Sequence, residues 1–341
     1  MQPMLDVLVA RATGHWGEWF PGEATAEVSP LLLAGGPAHR DRVSVLLFPA
    51  GAASPRVIMK IGFTPLEGEF LTSEFEAMDQ LRPQLPAELQ PSMPRALDLY
   101  RTGEVTTLAA AVIGGKRLLV PALTGEVSTT AQEVMDSFFR RSFEFSRAVA
   151  EATTSPTAMD GRSLADVTGQ FADRFLADQP DFEDRVRRLG QEIAATTIEW
   201  HPAWQHQDVA VGNVLDDRGR LRFVDWEHAG GGCVPWFDVA FAPVVTSHLA
   251  RRVDRIASVE DAALGVLGPD TPIGTVLRGR MEEIWDYPLP LSWGVTLAAM
   301  EGAMRRLDDG REGSPEWVEL VRLMLCDDEF RERVEWMVPR W

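Results

Sequence analysis

The chain has almost no lysine and almost no cysteine. Of its 33 basic residues only Lys60 and Lys116 are lysines, so arginine is the default cation and any lysine stands out. The two cysteines, Cys233 and Cys326, lie far apart and offer neither a disulfide framework nor metal-ligand spacing, so a reducing compartment is expected. No uncharged apolar run reaches the ~18 residues of a membrane span. Residues 1–11 lack a basic leader region, and their apolar stretch is broken by Asp6, which predicts a cytoplasmic protein with no membrane partner. Positive charge is short throughout. Against the 33 basic residues stand 51 acidic ones, a net charge of −18 that argues against nucleic-acid backbones and anionic membranes. Such a surface suits a cationic small molecule, and it also serves plain solubility. There is no internal repeat or low-complexity tract, and 341 residues suffice for one large or two moderate domains with a real core.

What is present is concentrated in one stretch. His206-Gln207-Asp208 is followed by Asn213 and then by Phe223-Val224-Asp225-Trp226-Glu227. Asp208 and Asn213 have the spacing D-x-x-x-x-N, which places a carboxylate able to hold a hydroxyl near an amide oxygen. With Asp225 as a second carboxylate, the set meets the needs of phosphoryl transfer: a group for the nucleophile and hard oxygen ligands for Mg²⁺. Val214-Leu215, the turn signal Asp216-Asp217-Arg218-Gly219 and the apolar run 221–224 read as a hairpin, whose open end is expected to bring Asn213 and Asp225 to one point, as a shared cation requires. The other five histidines lack ligand spacing.

The ten residues from His206 to Leu215 resemble the catalytic loop of the aminoglycoside phosphotransferase and choline kinase family, H-G-D-x-x-x-x-N. Asp225-Trp226-Glu227 and Pro235-Trp236-Phe237-Asp238-Val239-Ala240 resemble its D-W-E and P-x-x-D-L-A segments. The resemblance implies that Asp208 is the catalytic aspartate and Asp225 the metal aspartate, with Asn213 as the second metal ligand. Three departures stand out: Gln207 replaces the usual glycine, Ala210 replaces a common histidine, and the Gly230-Gly231-Gly232-Cys233 stretch is one residue longer than usual.

A kinase-like fold needs a lysine on a strand and a glutamate on the next helix to hold it. Lys60 sits in the apolar run Val57-Ile58-Met59-Lys60-Ile61. Residues 70–81 show helical periodicity, with Leu71, Phe75, Met78 and Leu81 in one arc. Glu74 falls inside that arc and Glu76 nearly opposite, so Glu74 is the expected partner, because a carboxylate on a packing face must be paired. Upstream, Leu31-Leu32-Leu33 and residues 43–48 read as a hairpin. Gly35 and Gly36 between them are either its turn or the loop over the nucleotide phosphates. Residues 97–100 and 118–120 read as the last two strands of the sheet. The segment from Leu118 to Gly125 resembles the family's hinge, where backbone groups at Pro121 and Leu123 would read the base. Pro121 offers a carbonyl to an adenine amino group but no N–H to guanine, so ATP is expected ahead of GTP.

Beyond the hinge the pattern is helical. A capping-box signature at Thr130-Ala131-Gln132-Glu133 precedes a stripe of Val134, Phe138, Phe145 and Val149. The expected architecture is α+β, a protein-kinase-like two-lobed fold. Residues 1–123 form a nucleotide-binding lobe with an antiparallel sheet and one helix, and residues 124–341 a mainly helical lobe with the catalytic loop and the acceptor site. The resemblance implies a Mg²⁺-dependent phosphotransferase that moves the ATP or GTP γ-phosphate to a hydroxyl of a small polar molecule. An antibiotic such as an aminoglycoside, or another sugar or nucleoside natural product, is one acceptor class; choline, homoserine or a sugar is the metabolic alternative. A regulatory pseudokinase is a third reading, although the lysine, catalytic aspartate and metal aspartate that such proteins tend to lose are all present.

Overall fold

The structure, a computed structural model, describes residues 2–23, 27–33, 41–118, 122–308 and 315–337. The chain divides into two compact units, one of residues 1–115 with Arg222–Ala229 and one of Lys116–Leu221 with Gly230–Trp341. Gly35, Gly36 and Pro121 lie outside the described residues.

The first unit holds helix α1 (Gln2–Trp19), strands β1 (Val28–Leu33), β2 (Arg42–Pro49) and β3 (Val57–Gly62), helix α2 (Pro65–Leu81), and strands β4 (Ala96–Thr102) and β5 (Val105–Ala111). The strands form one antiparallel sheet in the order β1-β2-β3-β5-β4. Side chains alternate across it, as the pleat requires. Val45, Leu47, Val57, Met59 and Ile61 are buried in a cluster with Leu8, Ala12, Trp16, Trp19 and Phe20 from the N-terminal helix and the turn after it. Each such large apolar side chain contributes about 1.5–3 kcal/mol when removed from water. Arg42, Ser44, Lys60 and Gly62 have the opposite parity and share the other face, with Arg42 opposite Gly62 and Ser44 opposite Lys60.

The anticipated antiparallel pairing of residues 31–33 with the strand at 43–48 and the strand around Lys60 are present. The end of the sheet is different. The strand between β3 and β4 is Val105–Ala111, whose Val-Thr-Thr-Leu-Ala-Ala-Ala sequence is poor in the β-branched apolar and aromatic residues that mark strands; burial between β3 and β4 overrides that weak propensity. Leu118, expected to open the last strand, belongs to none, and residues 119–120 are not described. Helix α2 starts a turn before the apolar periodicity because Thr64 caps it, accepting from Glu67 N, and Pro65 occupies its first position.

The second unit begins with β6 (Lys116–Arg117), α3 (Thr129–Thr153), β7 (Met159–Asp160), α4 (Gly161–Phe175), α5 (Pro180–Ala194), β8 (Glu199–Trp200) and β9 (Ala203–Gln205). The hairpin of β10 (Val214–Asp217) and β11 (Arg220–Phe223) follows, residues Arg222–Ala229 count with the first unit, and the second resumes with β12 (Gly230–Cys233). Helices α6 (Phe237–Val253), α7 (Val259–Leu267), α8 (Pro272–Ile284), α9 (Leu291–Asp308), α10 (Pro315–Cys326) and α11 (Asp328–Arg333) complete it. The hairpin turn has Arg218 and Gly219 both at positive φ, the tight turn whose twist matches paired strands. The cap of α3 is Ser128, which accepts from Ala131 N at 3.2 Å, two residues before the expected Thr130. Among the described residues no helix is long and apolar enough to cross a membrane.

Candidate active site

In the first unit, Lys60 projects from β3 toward α2. Its Nζ donates to Glu74 Oε1 at 2.7 Å and Oε2 at 2.8 Å, and to Asp225 Oδ1 at 2.6 Å. Glu74 is buried, as its place in the apolar arc requires, and Glu76 is exposed. Burial works against the charge on Lys60, but Glu74 and Asp225 outweigh it and hold the ammonium well above its ordinary pKa. Burial pushes the Glu74 carboxyl up; Lys60 opposes this, and the charges of Asp225 and Glu227 add to it.

Asp225 stands at the end of the hairpin in the left-handed backbone region, with φ 61° and ψ 61°. Aspartate tolerates that conformation better than most residues, yet it must be held there. Immediately before it, Phe223 O accepts from the Trp226 indole at 2.9 Å. After it comes a short 3₁₀ turn, Trp226–His228, with Trp226 and Glu227 buried. The Asp225 carboxylate is 45% exposed. Close by, buried Arg42 donates to Glu67 and to Glu227, each at 2.5 Å.

Linked side chains therefore place two cations, Arg42 and Lys60, among four carboxylates, Glu67, Glu74, Asp225 and Glu227. His228 Nε2 lies 3.7 Å from Glu227. Asp225 is the exposed member of the set, the one that could meet a divalent cation. Hard carboxylate oxygen is the donor Mg²⁺ requires.

The second unit holds the segment from His206 to Asn213. Asn213 Nδ2 donates to Asp208 Oδ2 at 2.7 Å and to Asp208 O at 3.1 Å. With its nitrogen committed, the amide has its oxygen left, the atom that could serve a hard cation. The loop backbone is fixed from three sides. Asp238, in the first turn of α6, accepts from His206 N at 2.8 Å and Gln207 N at 2.7 Å. Gln205 Oε1 accepts from Asp238 N at 3.0 Å. On α9, Arg305 donates to Gln207 O at 2.6 Å while its guanidinium stacks over Phe237 and Phe241.

Gln207, which departs from the glycine of the pattern its loop resembles, adopts φ 63°, a backbone region that favours glycine. Here the strain is offset by anchoring: Gln207 Nε2 donates to Cys233 Sγ at 2.7 Å. Burial, with Glu301 and Asp238 nearby, pushes the Cys233 thiol up to about 12, so it is an unreactive acceptor. That contact gives the extra residue of the glycine stretch a use.

Leu123 is buried, and its N–H is taken by Asp254 Oδ2 at 3.0 Å, together with Thr124 N and Thr124 Oγ. Its amide therefore braces the chain against the end of α6 instead of pointing toward a base. Arg305 and Arg42 escape a reading from sequence, while Asp238, Glu227 and Cys233 enter it only as members of the segments that resemble the family, without a role. The signal for Asp238 is an acid at the start of an otherwise apolar helix, the signature of a paired buried carboxylate. Nothing in the sequence marks Arg305 or Arg42 among so many arginines.

A simple test concerns helix phase. Glu74→Gln should cut kcat/KM by about 2–4 kcal/mol in barrier terms, the scale of unpairing a buried ion pair. Glu76→Gln should stay within a few-fold of wild type. Steady-state kinetics on both variants checks this, and a reversed ranking would refute it.

The sequence matches the model of the phosphotransferase enzyme family over residues 45–265. No curated protein sequence matches it significantly. Among solved structures, a Ralstonia eutropha protein assigned to the aminoglycoside phosphotransferases is similar with TM-score 0.55 at 14% identity, covering 96% of this chain and 98% of that one. Choline kinase LicA of Streptococcus pneumoniae is similar with TM-score 0.51 at 10% identity, covering 94% and 97%. A glucosamine kinase solved with glucosamine, ADP and inorganic phosphate is similar with TM-score 0.51 at 14% identity, covering 90% and 83%. At such identities the likeness is one of fold, the two-lobed protein-kinase-like α+β fold. The match to the family extends over more than half of the sequence, and the chain belongs to the phosphotransferase enzyme family.

Proposed function

We propose that the protein is a cytoplasmic, Mg²⁺-dependent kinase that transfers the ATP γ-phosphoryl group to a hydroxyl of a small polar molecule. The observation that carries the reading is Lys60 held between Glu74 and Asp225, which fixes a buried ammonium beside an exposed carboxylate. Residues 1–123 bind the nucleotide, with the Lys60 ammonium on the α- and β-phosphates. Residues 124–341 supply the catalytic loop and the acceptor site. Asp208 orients the acceptor hydroxyl and takes its proton as the oxygen bonds to the γ-phosphorus and the bond to the ADP oxygen breaks. Asp225 and Asn213 would hold Mg²⁺, whose chemistry there is to neutralise phosphate charge.

An amine-bearing acceptor is favoured, and with it inactivation of an aminoglycoside or a related sugar or nucleoside antibiotic. The net charge of −18 attracts cations, and the names of the similar structures include an aminoglycoside phosphotransferase, a choline kinase and a glucosamine kinase. Pro121 supports ATP over GTP on its chemistry alone. A nucleotide-consumption screen with ATP and GTP, across aminoglycosides, nucleoside antibiotics, choline, homoserine and amino sugars, tests the reading. Acceptor-dependent ADP release from an antibiotic is the expected result. Turnover of choline, homoserine or a sugar alone would make the enzyme a metabolic kinase. Nucleotide binding without turnover of any acceptor would favour the pseudokinase.

A further inference from the structure

The geometry points to Arg42 as the positioning residue for the metal-side aspartate: by drawing Glu227 and Glu67 onto one guanidinium, it fixes the short turn that presents Asp225. This rests on the proposed role of Asp225 as a Mg²⁺ ligand.

Glu67 and Glu74 are seven residues apart on α2, two helical turns, so their side chains share one face. Arg42 and Lys60 share the sheet face of the same parity. Each glutamate takes one sheet cation, Glu67 with Arg42 and Glu74 with Lys60. Each cation then reaches the segment after the hairpin, Lys60 to Asp225 and Arg42 to Glu227. The turn is thereby tied at both ends to one rigid sheet and one helix.

Lys60 alone cannot set the turn, because it grips only the side chain of Asp225. The left-handed backbone at Asp225 needs a restraint on the residues that follow, and Glu227 is the charged anchor there. The arrangement suits arginine. A planar fork serves two carboxylates at once, whereas lysine presents a single point charge.

The helix is brought close enough by the glycine opposite Arg42. A Cβ at Gly62 would lie 2.8 Å from Glu67 Cβ, so this position admits no side chain without moving the first turn of α2. Phe70 closes the site, lying under the guanidinium and edge-on to His228. Glu227 is 9% exposed and its Oε2 is committed to Arg42, so its place is that of an anchor and not of a metal ligand.

The test is calorimetric titration of ADP binding against Mg²⁺ on the full chain, for wild type, Glu227→Gln, Arg42→Lys, Arg42→Met and the double variant Arg42→Met/Glu227→Gln. Glu227→Gln and Arg42→Met should each raise the Mg²⁺ concentration for half-maximal binding about 10- to 100-fold, the usual effect of removing a residue that supports a metal ligand. Metal-free ADP binding should hold within a few-fold. Arg42→Lys should fall between wild type and Arg42→Met. The double variant should be no worse than the weaker single variant, because both break one link. If Arg42→Met does not fold, Glu227→Gln and Arg42→Lys decide the question. A folded Glu227→Gln with wild-type Mg²⁺ dependence overturns the proposal, as does a large effect of Glu227→Gln with none from the Arg42 variants. If wild type shows no Mg²⁺-linked ADP binding, the proposed function itself fails, which is a different result.

Discussion

Asp208→Asn is expected to lose two to four decades of kcat, about 3–5 kcal/mol of barrier, while nucleotide affinity stays within a few-fold. The size follows from what the substitution removes and what it keeps. Asp208 Oδ2 accepts from Asn213 Nδ2, and an asparagine at 208 can still offer an oxygen to that donor. The other contact, from Asn213 to the main-chain oxygen of residue 208, does not depend on the side chain at all. Loop geometry and the amide ligand should therefore survive, and the change isolates the ability to take a proton from the acceptor hydroxyl. Steady-state kinetics with nucleotide-binding calorimetry measures both halves. Near-normal kcat would refute the assignment, and equal losses in kcat and affinity would place the residue with the nucleotide.

The narrowness of that effect depends on a loop that does not move when its side chain changes. Three separate elements hold it. Asp238 fixes two successive amides, Arg305 fixes the following carbonyl, and Cys233 holds the Gln207 side chain. Burial pushes the Asp238 carboxyl up, while His206, the two amides and Arg305 pull it back toward the charged form. A loop residue in the left-handed region normally calls for glycine; here tertiary contacts from α6, α9 and β12 overdetermine a glutamine instead.

How much of this was legible in the sequence depends on whether a residue announced itself locally. Lys60 did, as one of two lysines inside an apolar strand, and Glu74 did through helix phase. The hairpin at residues 214–223 showed in its turn residues. Residues whose role depends on distant partners did not. Arg42 and Glu67 are 25 positions apart, and Arg42 and Glu227 are 185 apart, distances over which no periodicity speaks. Arg305 lies 98 positions from the carbonyl it holds. The N-terminal helix was missed for another reason. Its spacing of Leu8, Ala12, Trp16 and Trp19 is helical, but the segment was read only as a candidate leader. Strand Val105–Ala111 was hidden by its alanines, whose place is set by neighbouring strands and not by propensity.

Asp225→Ala should remove the Mg²⁺-dependent part of nucleotide binding and leave the rest. Alanine offers no oxygen, and Glu227, the other carboxylate of the turn, is buried and held by Arg42, so it does not replace Asp225 for a hard dication. The sign of the residual effect distinguishes this from simple damage. Loss of Asp225 removes one of the two carboxylates to which Lys60 donates. Lys60 keeps both oxygens of Glu74, so no buried cation is left unpaired. Metal-free nucleotide should therefore bind the variant as well as it binds wild type, or better, because one anion beside the phosphates is gone. Thermal stability without metal should stay close to that of wild type, because Glu74 still holds Lys60, and stabilisation by Mg²⁺ with nucleotide should vanish. Calorimetry with and without Mg²⁺, paired with melting curves, measures all of these. An unchanged gain in affinity on adding Mg²⁺ would reduce Asp225 to the end of a hairpin. A loss of metal-free binding as large as the loss with Mg²⁺ would mean that its main task is to hold Lys60.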